Sequence, residues 1–174
     1  MSDPTLSAAL KEAYASAPTD EIIYPTLEIW HQNFTTPIRV VNAVKNIRAT
    51  LENTAPRNPG AVVTFTAFAF AFKKPDVSAD GSPTLTIEID NVSRQILTEL
   101  QPAAVSSGEI TVIYREYLLS DLSAPQNDPP IVLTITNISA TVTRVTATAT
   151  LGNYNNRKFP GLVYDAQKFP GLLP

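Results

Sequence analysis

Ala61-Val62-Val63-Thr64-Phe65-Thr66-Ala67-Phe68-Ala69-Phe70-Ala71-Phe72 is the most apolar strand candidate of the chain and carries no charge. From Ala67 onward alanine and phenylalanine alternate. A period of two places Phe68, Phe70 and Phe72 on one face of an extended strand and Ala67, Ala69 and Ala71 on the other. Neither face suits water. Burying each phenylalanine is worth about 1.5 to 3 kcal/mol, so the phenylalanine face is expected on the main core. The alanine face admits a close second layer. A helix is expected there from Asn91 to Leu100, where Val92, Ile96, Leu97 and Leu100 share a side. Asp90 or Asn91 supplies its N-cap, and Pro102 ends it.

Working outward, alternation continues on both sides. Thr26 to His31 and Pro37 to Asn42 read as two strands joined by a turn over Asn33 to Pro37, with Leu27, Ile29, Ile38 and Val40 on one face. Glu28, Trp30, Arg39 and Val41 take the other face. Further strands are expected over Thr84 to Asp90, Glu109 to Leu119, Ile131 to Asn137 and Ala140 to Leu151. Asn53 to Gly60, Lys73 to Pro83 and Ser120 to Pro130 are rich in turn formers and read as loops. Many strands with one internal helix predict a mainly β fold, an antiparallel β-sandwich flanked by that helix.

Near the N-terminus, Asp3-Pro4 forms a helix start, and Leu6, Leu10 and Tyr14 then recur every four residues as one apolar stripe ending near Pro18. That stripe closes one end of the core or grips a neighbouring subunit. Three regions result: an N-terminal helix over 1–20, a β domain over 21–152 and an extended tail over 153–174.

The tail repeats itself. Lys158-Phe159-Pro160-Gly161-Leu162 returns as Lys168-Phe169-Pro170-Gly171-Leu172. Each Pro-Gly suits the centre of a type II turn, which brings the flanking Phe and Leu together. Phe159, Pro160, Leu162, Tyr164, Phe169, Pro170 and Leu172 are therefore the candidate protein-interface residues, on the chain's own domain or on a neighbour.

Composition narrows the functional classes. The 174 residues are 44% hydrophobic and 17% charged, the balance of a folding domain. Net charge is −3 with no basic run, so specific nucleic-acid binding is not expected. There is no cysteine, hence no disulfide and no thiolate metal site. No run of about 18 apolar residues marks a membrane span, and no secretory signal is visible. The expectation is a protein made in the cytoplasm and soluble until assembled.

Catalytic signals are sparse. His31 is the only histidine, and no nucleophile motif accompanies it. It reads as a structural histidine at a sheet end. Asp20-Glu21 and Glu88 with Asp90 are acidic pairs, too few oxygens for a calcium loop. No phosphate-binding glycine loop or metalloprotease motif occurs. No catalytic, cofactor or metal residues are assigned, and the chain is not expected to be an enzyme.

Leu27-Glu28-Ile29-Trp30-His31, then Phe34 and Pro37-Ile38-Arg39-Val40-Val41-Asn42, resemble the N-terminal signature of a tail-assembly family of long, non-contractile-tailed bacteriophages, filed as a domain of unknown function. Asp90-Asn91-Val92-Ser93, Tyr114-Arg115-Glu116 and the terminal Phe-Pro spacing extend the resemblance over almost the whole chain. What it implies is a distal tail protein: a structural protein of the virion tail tip, forming a hexameric ring between the tail tube and the central hub. The implied partners are further copies of the chain, the tube protein, the hub protein and the tape measure protein, with DNA passing through the ring unbound. A carbohydrate- or protein-binding β-sandwich used for adhesion is the alternative.

Overall fold

Most of the alternating segments become strands of a single sheet. The computed structural model describes residues 5–16, 21–73, 84–90, 108–141 and 144–150. Among them lie one helix, α1 (Ala8–Ser16), and nine strands: β1 (Ile23–Trp30), β2 (Ile38–Val41), β3 (Ile47–Thr50), β4 (Val62–Ala67), β5 (Phe70–Lys73), β6 (Thr84–Asp90), β7 (Ile110–Leu118), β8 (Ile131–Ala140) and β9 (Arg144–Thr150). The protein is mainly β. Strand order is β3-β4-β2-β1-β7-β8-β9-β6-β5. Hydrogen bonding thus runs through one mixed sheet, in which β2 and β4 pair in parallel and the other neighbours are antiparallel.

The stretch expected as one strand from Ala61 to Phe72 is two. β4 buries Phe65, with Val63 and Ala67 partly buried beside it, whereas β5 buries Phe70 and exposes Ala71. The chain therefore changes its buried face between Ala67 and Phe70. Side chains and backbone of the neighbouring turn hold that break: Asn46 Oδ1 accepts from the Ala67 N–H at 2.9 Å, the Phe68 N–H donates to Val41 O at 3.0 Å, and Asn42 Nδ2 donates to Phe70 O at 3.1 Å. β4 stands near one end of the strand order and β5 at the other. Two linking residues consequently draw both ends together and curl the sheet around one core.

Phe68, Phe70 and Phe72 face that core, as their alternation predicts. They join Leu27, which pairs with Val40, and Ile29, which pairs with Ile38, across the β1–β2 hairpin. Phe72 stacks on Tyr114, ring centroids 4.1 Å apart. A second apolar cluster, including Val41, Ile47, Phe65 and Tyr117, covers the opposite face of β1 and β7. These two central strands are thus buried on both sides. Pro25 is tolerated within β1 because its carbonyl accepts from the Asn42 N–H just past the end of β2, where the ladder on that side runs out.

Other boundaries move for local reasons. The expected helix start at Asp3-Pro4 lies outside the described residues; residues 5–7 run antiparallel to 126–128, with Leu6 bridging Asn127, and the described helix begins at Ala8. Ser7 then caps α1, its Oγ accepting from the Leu10 N–H at 3.1 Å. Leu10 and Ala13 bury against Leu118, so the stripe closes one end of the sheet within this chain. β3 has no counterpart among the expected strands, its four residues being too short for a clear alternation. β8 runs on to Ala140 past an irregularity between Ile135 and Asn137. Ala69 and Ala71 are exposed, and the helix expected over them at 91–100 lies outside the described residues.

Phe70→Ala should lower stability by about 3 to 5 kcal/mol, whereas Ala71→Ser should change it by less than about 0.5 kcal/mol. Urea unfolding of both variants checks this; equal effects would contradict the change of buried face.

Candidate functional site

Tyr114-Arg115-Glu116-Tyr117 on β7 sends its side chains alternately to the two faces of the sheet, and both faces are covered. Arg115 is fully buried. Its Nε and Nη2 donate to the two oxygens of Glu52 at 2.7 and 2.8 Å, a bidentate fork, and its Nη1 donates to Glu28 Oε2 at 3.0 Å. Burial by itself disfavours the guanidinium charge, but the Glu52 hydrogen bonds and the fields of Glu28 and Glu52 outweigh it and hold the pKa above its usual value. Arg39, opposite Glu28 in register, approaches the same Glu28 oxygen at 3.5 Å and donates to Asn58 Oδ1 at 2.9 Å. Arg57 lies 3.4 Å over the Trp30 ring. Five charged side chains from four parts of the sequence thus meet on one face.

Glu116 occupies the other face, also buried. Tyr14 of α1 and Tyr114 both donate to its Oε1. Asn127 fixes the backbone beside it, accepting from the Glu116 N–H at 2.9 Å and donating to Tyr114 O at 3.2 Å. Burial, with the Glu116 hydrogen bond and charge, pushes both tyrosine hydroxyls well above their ordinary pKa. Burial does the same to Tyr117, whose hydroxyl donates to Thr50 O at 2.9 Å.

His31 is buried at the end of β1, where its Nδ1 accepts from the Asn33 N–H at 3.1 Å. Gly108 packs against the ring so closely that a Cβ there would come within 2.3 Å of Nε2. The imidazole therefore acts as a turn anchor. Of the acidic pairs, Glu21 accepts from the Ser120 N–H and hydroxyl, which lowers its pKa, and Glu88 approaches Arg144 at 3.5 Å. No group of three or more metal-ligating side chains occurs among the described residues, and no described helix is long and apolar enough to cross a membrane.

A cleft of about 270 Å3 opens between the turn after β3 and the loop before β8, lined by Glu52, Asn53, Gly60, Ala124, Pro125 and Asp128 among others. Glu52, one of its lining residues, is engaged by Arg115. Phe159, Pro160, Leu162, Tyr164, Phe169, Pro170 and Leu172 all lie outside the described residues. Nothing in one strand signals the Arg115 network, since its partners stand 63 and 87 positions away in sequence.

Residues 9–164 match DUF1833, a domain of unknown function. The chain belongs to this family. The DUF1833 match spans α1 from its second residue, all nine described strands and both β7 networks, so the residues that hold the sheet together lie within it. No curated protein is found to match the chain.

Arg115→Met should cost about 3 to 5 kcal/mol by leaving Glu28 and Glu52 uncompensated, while Arg39→Met, partly exposed and only 3.5 Å from its partner, should cost less than about 1 kcal/mol. Denaturant melts distinguish them.

Alkaline pH gives a second test. The raised pKa of Tyr114 and Tyr117 means that above pH about 10 the unfolded chain releases tyrosine protons that the native chain retains. Stability is then full below the unfolded pKa and falls by about 1.4 kcal/mol per pH unit for each such tyrosine. Tyr114→Phe should flatten this fall between pH 10 and 11; an unchanged slope would contradict it.

Proposed function

We propose that this DUF1833 protein is a structural component of a phage tail tip, a ring that joins the tail tube to the central hub and docks its neighbours through the C-terminal tail. The observation that carries the reading is what the ionisable side chains do. Arg115, Glu28, Glu52, Glu116 and His31 are all spent on holding strands and turns together. Such an arrangement builds a rigid body and leaves the described surface for contact.

Apolar side chains on that surface support the same reading. Ile22 and Leu119 stand exposed beside each other, joined through the Leu119 N–H to Ile22 O bond of 2.8 Å. Val62 is exposed on β4, a different part of the surface. A ring needs two unlike patches, because each subunit presents a different surface to each neighbour. The tube, hub and tape measure proteins are the proposed partners, with DNA passing through uncontacted by any basic patch.

The reading also rests on the order of the family-like segments, from Leu27-Glu28-Ile29-Trp30-His31 to the terminal Lys-Phe-Pro-Gly-Leu repeats. Native mass spectrometry, alone and with the hub protein, should give a species six times the monomer mass. Removing residues 153–174 should abolish that species without lowering the melting temperature. A strict monomer under every condition, hub present, would overturn the ring.

A further inference from the structure

Three arginines meet around Glu28. Arg115 and Arg39 both pair with it, whereas Arg57 makes no hydrogen bond or ion pair among the described residues. Arg57 is held instead by its stack on Trp30, the guanidinium carbon lying 3.4 Å from the ring centroid. So close an approach is open only to two flat groups lying face to face, which the attraction of the cation to the indole π-face favours. The N–H bonds of a guanidinium all lie in its plane. Stacking therefore directs them past the rim of the indole, as a fork of fixed orientation at a half-buried site.

The surroundings favour an anion at that edge. Burial is the main cause that lowers the Arg57 pKa; Glu28 opposes it in part, and the field of Arg39 lowers it further. Two like charges held near each other and partly out of water raise the energy of the folded chain until a negative charge joins them. Within this cluster Arg39, Arg57 and Arg115 set three positive charges against Glu28 and Glu52, an excess of one. The chain as a whole has the reverse balance, at −3. An excess of one matches a carboxylate, whose two oxygens also fit a guanidinium fork. A dianion such as sulfate overshoots that balance and meets the field of Glu28. A nucleic-acid backbone needs a run of cations, which the sequence lacks. Inside the protein the competing acceptor is Glu28 Oε1, which is buried and has no hydrogen-bond partner.

We propose that Arg57, laid on Trp30 and flanked by Arg39, is a binding site for a carboxylate, supplied by an acidic side chain of a protein partner or by a free carboxylic acid. Carboxylate binding here goes beyond the ring reading and does not depend on it.

Trp30 is the only tryptophan of the chain, so its emission reports on the guanidinium stacked against it. The full-length protein is titrated, at an ionic strength held constant with sodium chloride, with propionate, with an end-blocked Gly-Glu-Gly peptide carrying one side-chain carboxylate, and with sulfate. Both carboxylates should give a saturable change in Trp30 emission, and sulfate should give none over the same range. Arg57→Gln should abolish the change. Arg57→Lys, which keeps the charge but loses the fork, should weaken binding about tenfold. Both variants retain Trp30, so unspecific quenching persists in them and is subtracted.

Saturation by the peptide alone supports the site and makes its source a protein side chain; saturation by propionate alone supports it with a free acid as the source. No saturable change with either carboxylate, or one that survives in Arg57→Gln, overturns the site. An equal response to sulfate overturns the carboxylate as its ligand. The variants should keep the parent's urea midpoint; a midpoint lowered as far in both as by Arg115→Met makes Arg57 an internal partner of Glu28 and overturns the site as well.

Discussion

The buried guanidinium of Arg115 is the interaction on which the rest of the structure depends. A charge removed from water costs several kcal/mol unless it is paired and fully hydrogen-bonded. Arg115 meets that requirement only when Glu28 on β1 and Glu52 in the turn after β3 are both in place. One side chain therefore makes the folding of β7 conditional on two remote segments. The neighbouring Glu116 does the same on the opposite face, tying in α1 through Tyr14 and the 126–128 loop through the Asn127 contact to its backbone. β7 becomes the centre of the molecule, and the surrounding apolar residues fill the space that these two fixed points define.

The second constraint is the break between β4 and β5. An uninterrupted strand from Ala61 to Phe72 would keep one face inward throughout. Phe65 and Phe70 stand on opposite faces of such a strand, and both need burial. The chain resolves this by stepping from one end of the sheet to the other, with Asn42 and Asn46 supplying side-chain hydrogen bonds where the regular ladder is interrupted. A flat sheet of nine strands would leave one apolar face to solvent; the step curls it so that one continuous sheet encloses its own core.

This construction leaves the ends and rims of the sheet as the places where sequence is free to serve contact. The cleft is lined in part by the turn that carries Glu52, which the Arg115 fork fixes, while Asn53 and Asp128 of the same lining are exposed. The proposed ring would thus draw its stability and its contacts from different sets of residues.

Much of the fold is legible in the chain alone. Alternation assigns Leu27, Ile29, Ile38 and Val40 to one face and Glu28, Arg39 and Val41 to the other, and the β1–β2 hairpin has that arrangement. The phenylalanine face is likewise inward. Period-two patterning is a local property, so it survives reading one segment at a time. The parallel pairing of β2 with β4, the break at Phe68-Ala69 and the short β3 are decided by where distant strands leave room. The Arg115 network is beyond local reading for the same reason: Tyr114-Arg115-Glu116 is visible as a motif, but a lone buried arginine looks no different in sequence from a solvated one. By itself the sequence determined the strands' inward faces and the lack of a catalytic motif. Tertiary structure alone decided which carboxylates neutralise Arg115 and how one sheet closes on itself, because both depend on contacts between residues far apart in the chain.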